Sequence, residues 1–412
     1  MPMRSDLSGG ISLTFTATVA RARELAGKPL AAPRPAPPRP PTRVRVIGDP
    51  QTSLERFVEV LVAHELLGID GFLADDVQLV SIGDHFDYRS HDDTDPRRDG
   101  TAILRWLAEH HPQQAVILAG NHDVARVQEL IGLSDARFAA AQAAAAALAP
   151  LASAVPDEYR RRLRAEFEPA FPEVPTPGLI ARDYASYGEA QRALVMAMLL
   201  AGRFRLAAAG RLGDGRTALL THAGVTTREV DQLGVGTGAV ELAAALDRHL
   251  AAAVEARRAA WQAGRLDPLD LAPLHLPGRQ PDEGGGLLYH RPSNPDRPPT
   301  AADRVDRAWE TDPRRRRFHP RELPAGLAQI AGHTNHRKCL TELRGWIAPD
   351  AAALTRGGLR TLIVDGDAVT YHAGVRAAAR GSAVLHLIDA ELNEADKPGE
   401  EVPLLELAAL LS

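Results

Sequence analysis

The 412 residues suffice for one large domain or two ordinary ones, and 45% hydrophobic and 25% charged residues are ordinary globular values. A formal net charge of −5 argues against a general nucleic-acid binder, which is usually basic. The single cysteine, Cys339, excludes an internal disulfide, and no apolar run approaches the roughly 18 residues of a membrane span. Ser and Thr interrupt the mildly apolar opening, which therefore does not read as a signal peptide, and the expected compartment is the cytoplasm.

Residues 28–42 read KPLAAPRPAPPRPPT, and proline at this density favours an extended spacer. Residues 1–42 are therefore expected to be a Pro-rich arm outside the main domain. VRVIGD (44–49) is a short strand run. Residues 53–67 place apolar side chains at helical spacing, with Thr52 or Ser53 as N-cap. VQLVSIGD (77–84) is a second strand, TAILRWLAEHH (101–111) a second helix and AVILAGNHD (115–123) a third strand. This alternation predicts an α/β core with parallel pairing, in which ligands gather at the carboxyl ends of strands.

Residues 134–210 read as an insertion of several helices, rich in Ala, Arg and Glu. RTALLTHAGV (216–225) resumes the core. A second insertion, 236–320, holds a helical stretch and then a Pro/Gly-rich loop region. LAQIAGHTNH (327–336) is a further strand, and TLIVDGDAVTYH (361–372) reads as a hairpin turning at Asp365–Gly366. SAVLHLID (382–389) adds one more strand. The domain is expected to span 43–390, with 391–412 as a tail whose apolar residues VPLLELAALL form a short helix.

Five strand ends carry polar clusters: GDPQ (48–51), GDHFD (83–87), GNHD (120–123), THAG (221–224) and GHTNH (332–336). Each alone is weak, since a strand-end Asp is commonly a cap or turn residue. Together they offer Asp, Asp, Asn, His and His in order, most beside a glycine that permits a sharp turn. Two divalent cations about 3.5–4 Å apart need a shared carboxylate and neutral ligands. Carboxylates with imidazoles suit Mn, Fe, Ni or Zn better than Mg or Ca.

The ordered set resembles the calcineurin-like metallophosphoesterases, which carry D-x-H, G-D-x-x-D, G-N-H-D/E, a later His beside Gly, and G-H-x-H. The match spans roughly residues 44–372, apart from the insertions. THAG points toward the phosphoprotein-phosphatase-like and diadenosine tetraphosphate hydrolase-like branch. The resemblance implies an α/β/β/α four-layer sandwich and two divalent metal ions, with Mn favoured. It implies Asp84 as the bridging carboxylate, Asp49 on the first metal, and Asn121, His222 and His333 on the second. His122 resembles the histidine that protonates the leaving oxygen, with Asp87 or Asp123 orienting it. The implied reaction is in-line attack of metal-activated water on phosphorus.

Two positions depart from the pattern. Gln51 stands where the family usually has histidine. The last motif has one residue more than G-H-x-H, which leaves His336 either a first-metal ligand or a surface or substrate-contacting residue. His85 is expected to line the pocket, and Arg89 and Arg126 are candidate phosphate contacts. The expected substrate is a phosphorylated small molecule or phosphoprotein, hydrolysed as a phosphomonoester. A phosphodiesterase or a nucleotide or dinucleoside-polyphosphate pyrophosphatase is the alternative, and a catalytically silent metal-binding scaffold is the alternative of another class. The oligomeric state is open.

Overall fold

A computed structural model describes residues 8–28, 30, 32–88, 95–278, 284–297, 316–354, 358–377, 381–392 and 402–411. Within them the chain is a mixed α/β protein. Strands β1 (Arg43–Ile47), β2 (Val77–Ser81), β3 (Ala115–Leu118) and β4 (Phe204–Arg205) pair in parallel, in that order. Leu405–Leu407 adds to the free edge of β1 in antiparallel sense, which completes a five-stranded sheet. A seven-stranded sheet has the order Ala368–Ala373, Arg360–Asp365, Ala383–Leu387, Ala328–Ala331, β6 (Thr217–Thr221), β5 (Ala207–Arg211) and Ala409–Leu411.

Side chains from the two sheets meet in one apolar layer. Val44, Val46, Val80, Leu118 and Leu407 of the first pack with Ala218, Leu220 and Ile330 of the second. The outer face of the first sheet is covered by helices α2 (Leu54–Ala63) and α3 (Pro96–Ala108), and α1 (Ser8–Ala26) packs on both of them, through Ala22, Phe57, Leu61, Trp106 and their neighbours. Ser53 caps α2 by accepting the Arg56 N–H at 3.2 Å. The Ala239–Gln262 helix lies against β5 and β6, and Leu242 and Leu246 are fully buried there.

Four expectations are corrected. The segment 1–42 is not wholly an arm, because α1 buries Val19, Ala22, Leu25 and Ala26 against α2 and α3. The insertion expected over 134–210 ends in strands that belong to the core, since β4 pairs with β3 and β5 with β6. The expected C-terminal helix is two short strands. Leu405 and Leu407 point inward while Glu406 is exposed, a period of two that fits a sheet edge. The hairpin turn is Gly366–Asp367, because Asp365 still pairs with Ala368.

The core contains histidines that fold uncharged. Burial pushes the pKa of His110 down to about 3. Its Nδ1–H donates to Trp106 O at 2.9 Å and its Nε2 accepts the Leu73 N–H at 3.0 Å, so the neutral ring is fully used. Burial likewise lowers His275 to about 3 and His386 to about 4. A depressed folded pKa gives stability that is complete above the unfolded value of about 6.5 and declines as pH falls toward the folded one. Urea unfolding between pH 6.5 and 4 should therefore lose stability with falling pH. His110→Gln keeps one donor and one acceptor. It should flatten that slope by about one proton, roughly 1.4 kcal/mol per pH unit. An identical slope in wild type and variant would remove His110 from the account.

Candidate active site

The parallel strands β1, β2, β3, β6 and Ala328–Ala331 bring Asp49, Asp84, Asn121, His222 and His333 to the ends where they stop. The backbone there is unusual. Asp49, Asp84, Asp87 and His333 have φ of 27°, 57°, 67° and 60°, the left-handed region that non-glycine residues avoid. Such conformations cost on the order of 1–3 kcal/mol each and persist where the surroundings enforce them, characteristically at functional sites. The neighbouring glycines are dictated by space. A Cβ on Gly120 would collide with Asp84 Oδ1, and one on Gly332 with Asp49 Oδ1.

Four acceptor atoms converge. His222 is fully buried, and its Nδ1–H donates to Ile82 O at 2.9 Å, so a neutral ring presents a lone pair at Nε2. That Nε2 lies 3.1 Å from Asn121 Oδ1, 3.3 Å from His333 Nδ1 and 3.4 Å from Asp84 Oδ2. Asp84, His222 and His333 can hold a metal ion, with ligand atoms within 4.8 Å of one another. Inward-facing lone pairs of one carboxylate, one amide oxygen and two imidazoles fit a borderline divalent cation. Without such a charge the cluster balances itself with protons. Burial opposes ionisation of Asp84, but His222 and His122 outweigh it and hold its pKa below the ordinary range. Burial also opposes charge on His222, yet Asp84 raises it to about 9.

Asp49 is buried beside this group, and the His333 N–H donates to its two oxygens at 2.9 and 3.1 Å. Burial, reinforced by Asp389, holds its pKa well above the carboxylate range. His122 belongs to α4 (Asn121–Ala125), and its N–H donates to Asp84 Oδ1 at 2.9 Å. Its Nδ1 meets Asp87 Oδ2 at 2.9 Å, and its Nε2 stands 3.8 Å from Asp84 Oδ2. Burial opposes protonation of His122, but Asp84 and Asp87 overcome it and raise its pKa. Asp87 also accepts Arg126 Nη1 at 2.5 Å, and Arg126 and His122 keep its pKa low against its burial.

A cavity of about 110 Å³ opens over these groups. Asp49, Gln51, Asp84, His122 and His333 line it together with Arg291, Asn335, Lys338, Asp389, Glu391 and Leu392.

No protein-family model matches the sequence, and no curated protein sequence matches it. Among solved structures, a cold-active protein-tyrosine phosphatase of the psychrophile Shewanella sp. is similar at a TM-score of 0.34 and 12% identity, over 91% of this chain and 77% of that one. A TM-score this low carries no argument about fold or activity.

Other expected site residues are placed elsewhere. His85 does not line the cavity. It is fully buried, with Nδ1–H on Asp123 Oδ1 at 3.0 Å and Nε2 at 2.8 Å from Ser81 Oγ. Asp123 does not orient His122. Its carboxylate accepts the backbone N–H groups of Asp84, His85 and Gly120 at 2.9–3.2 Å, which fixes the two loops to each other. Arg126 is not a free phosphate contact, because it is buried over the Phe86 ring and bound to Asp87, the His122 carbonyl and Gln191. His336 turns away from the cavity. Asn335 caps the His336–Glu342 helix, and the first helical turn carries His336 to Tyr371 Oη at 2.9 Å. Arg89 lies outside the described residues. Gln51 donates from Nε2 to Phe86 O at 2.8 Å, which leaves its amide oxygen as the end open to a ligand.

The sequence reading missed the cavity's two cations. Arg291 donates to His333 Nε2 at 3.2 Å from a two-residue strand of the second insertion, Arg291–Pro292, and Lys338 comes from the His336–Glu342 helix. Neither carries a local sequence signal. Asp389 did carry one, since it ends a strand parallel to Ala328–Ala331 just as Asp49 and Asp84 end theirs.

Proposed function

We propose that this chain is a metal-dependent phosphoesterase of the calcineurin-like type, with that family's four-layer arrangement, and that it acts on phosphomonoesters. The observation that carries the reading is His122. It lines the same cavity as Asp84 and His333, which with the buried His222 form the metal-competent group, and its Nδ1 is tied to Asp87. Asp84, Asn121, His222 and His333 would hold one divalent cation, and Asp49, Gln51 and Asp84 are the candidates for a second. A bound cation supplies charge to the phosphoryl oxygens and lowers the pKa of a bound water. His122 gives its proton to the leaving oxygen, and Asp87 keeps its ring turned to do so. Arg291 and Lys338 neutralise the phosphate.

A small cavity whose apolar lining is Leu392 favours a phosphate head over a stacked base. That supports a monoester ahead of a diester or dinucleoside polyphosphate. The intact His122–Asp87 pair supports an enzyme ahead of a silent scaffold. With Mn²⁺ added, 4-nitrophenyl phosphate should be turned over faster than its bis ester or a dinucleoside polyphosphate, and chelation should abolish the activity. Turnover of the diester alone would overturn the monoesterase reading. No turnover, with less than one metal per chain after Mn²⁺ addition, would favour the scaffold.

A further inference from the structure

We infer that the first helical insertion positions His122 for catalysis and that Ser186 is its point of contact; this rests on the phosphoesterase reading above. Ser186 lies in the insertion, 99 residues from Asp87 in sequence. Its N–H and Oγ–H donate to Asp87 Oδ1 at 2.9 and 2.7 Å, and its Oγ accepts the Asp87 N–H at 3.2 Å. The other oxygen, Oδ2, receives Arg126 Nη1 and His122 Nδ1. Asp87 is thus held on one side by the insertion and on the other by the two groups it serves.

The same insertion reaches this corner at two further places. Gln191 Oε1 accepts Arg126 Nε and Nη2 at 3.2 and 3.1 Å, which fixes the guanidinium that grips Asp87. The buried Tyr184 ring meets the His122 ring edge-on with centroids 5.3 Å apart. The Tyr184 hydroxyl bonds that of Tyr289, which donates to Glu129 Oε1 at 2.9 Å. Asp87 itself has a left-handed backbone, a conformation that needs outside contacts to persist. Ser186 supplies three of them, and its own near-complete burial keeps water from replacing them. Ser186 is therefore a positioning residue. It acts on the reaction through Asp87 and touches no substrate.

The test compares full-length wild type, Ser186→Ala and Ser186→Thr, each loaded with diamagnetic Zn²⁺ for spectroscopy and with Mn²⁺ for assay. Ser186→Ala should lower kcat on an alkyl phosphomonoester, whose leaving alkoxide needs the proton, about tenfold, a fraction of what general acid catalysis gives, and leave KM within about twofold. The hydroxyl of Ser186→Thr should restore most of the loss. The His122 Nδ1–H proton resonance, a direct report on its bond to Asp87, should move or broaden in Ser186→Ala and return in Ser186→Thr. Unchanged kcat with an unchanged resonance would overturn the inference. If wild type turns over no phosphate ester, the functional reading fails while the resonance still decides the positioning role. Should Ser186→Ala not fold, Ser186→Cys keeps the volume, weakens the donor and carries the same comparison.

Discussion

His122→Ala should bind metal as wild type does and lose about 10²- to 10⁴-fold in kcat on an unactivated phosphomonoester. The separation of the two effects follows from geometry. The imidazole lines the cavity and is anchored through Asp87, whereas the cluster of inward-facing lone pairs is built by Asp84, Asn121, His222 and His333 without it. The backbone N–H of residue 122, which donates to Asp84 Oδ1, survives the substitution. A leaving group that needs no proton, such as 4-nitrophenolate, should suffer less than an alkoxide. Equal losses on both would mean that His122 binds substrate and does not act as an acid. Loss of metal from the variant would mean that α4 needs the ring for its shape.

Asp84→Ala should lose the metal and the activity together. Asp84 is the carboxylate of the group that can hold an ion, and it faces both His222 and His122. Outer contacts of metal ligands commonly contribute 10- to 100-fold in affinity, so removing the carboxylate itself should cost at least about 100-fold. Calorimetric titration with Mn²⁺ or Zn²⁺ measures this directly. Asp123, buried as deeply and bonded to the Asp84 N–H, provides the contrast. Its carboxylate holds backbone N–H groups, so Asp123→Asn should lower thermal stability more than metal affinity. Wild-type affinity in Asp84→Ala would move the metal site elsewhere.

The strands that carry Asp49, Asp84, Asn121, His222 and His333 were legible because each is a short apolar run ending in a polar residue, most of them beside glycine. That pattern is local, and the parallel topology it implies brings the ends together. What depends on distant partners was not legible. Asp87 and Asp123 look alike in sequence, yet one meets His122 and the other meets backbone. Arg126 follows its motif as a phosphate-binding arginine would, but Asp87 and Gln191 claim it. Helix α1 was hidden by Ser, Thr and a proline-dense neighbour, although Val19, Ala22 and Leu25 recur at helical spacing. VPLLELAALL suggested a helix because strand preference depends on an edge waiting to be paired, and that edge is at the other end of the chain.

The last described residues close two seams at once. Leu405–Leu407 zips onto β1, and Ala409–Leu411 zips onto β5 in the opposite sheet. During synthesis the first strand of the core leaves the ribosome long before the segment that completes its edge. Until that segment arrives, both sheets present a bare row of N–H and C=O groups, the situation that invites pairing with a neighbouring chain. Assembly of the sheets that bear Asp49, Asp84, His222 and His333 therefore waits on residues 405–411, so a nascent chain holds every liganding residue before it holds a finished scaffold to display them.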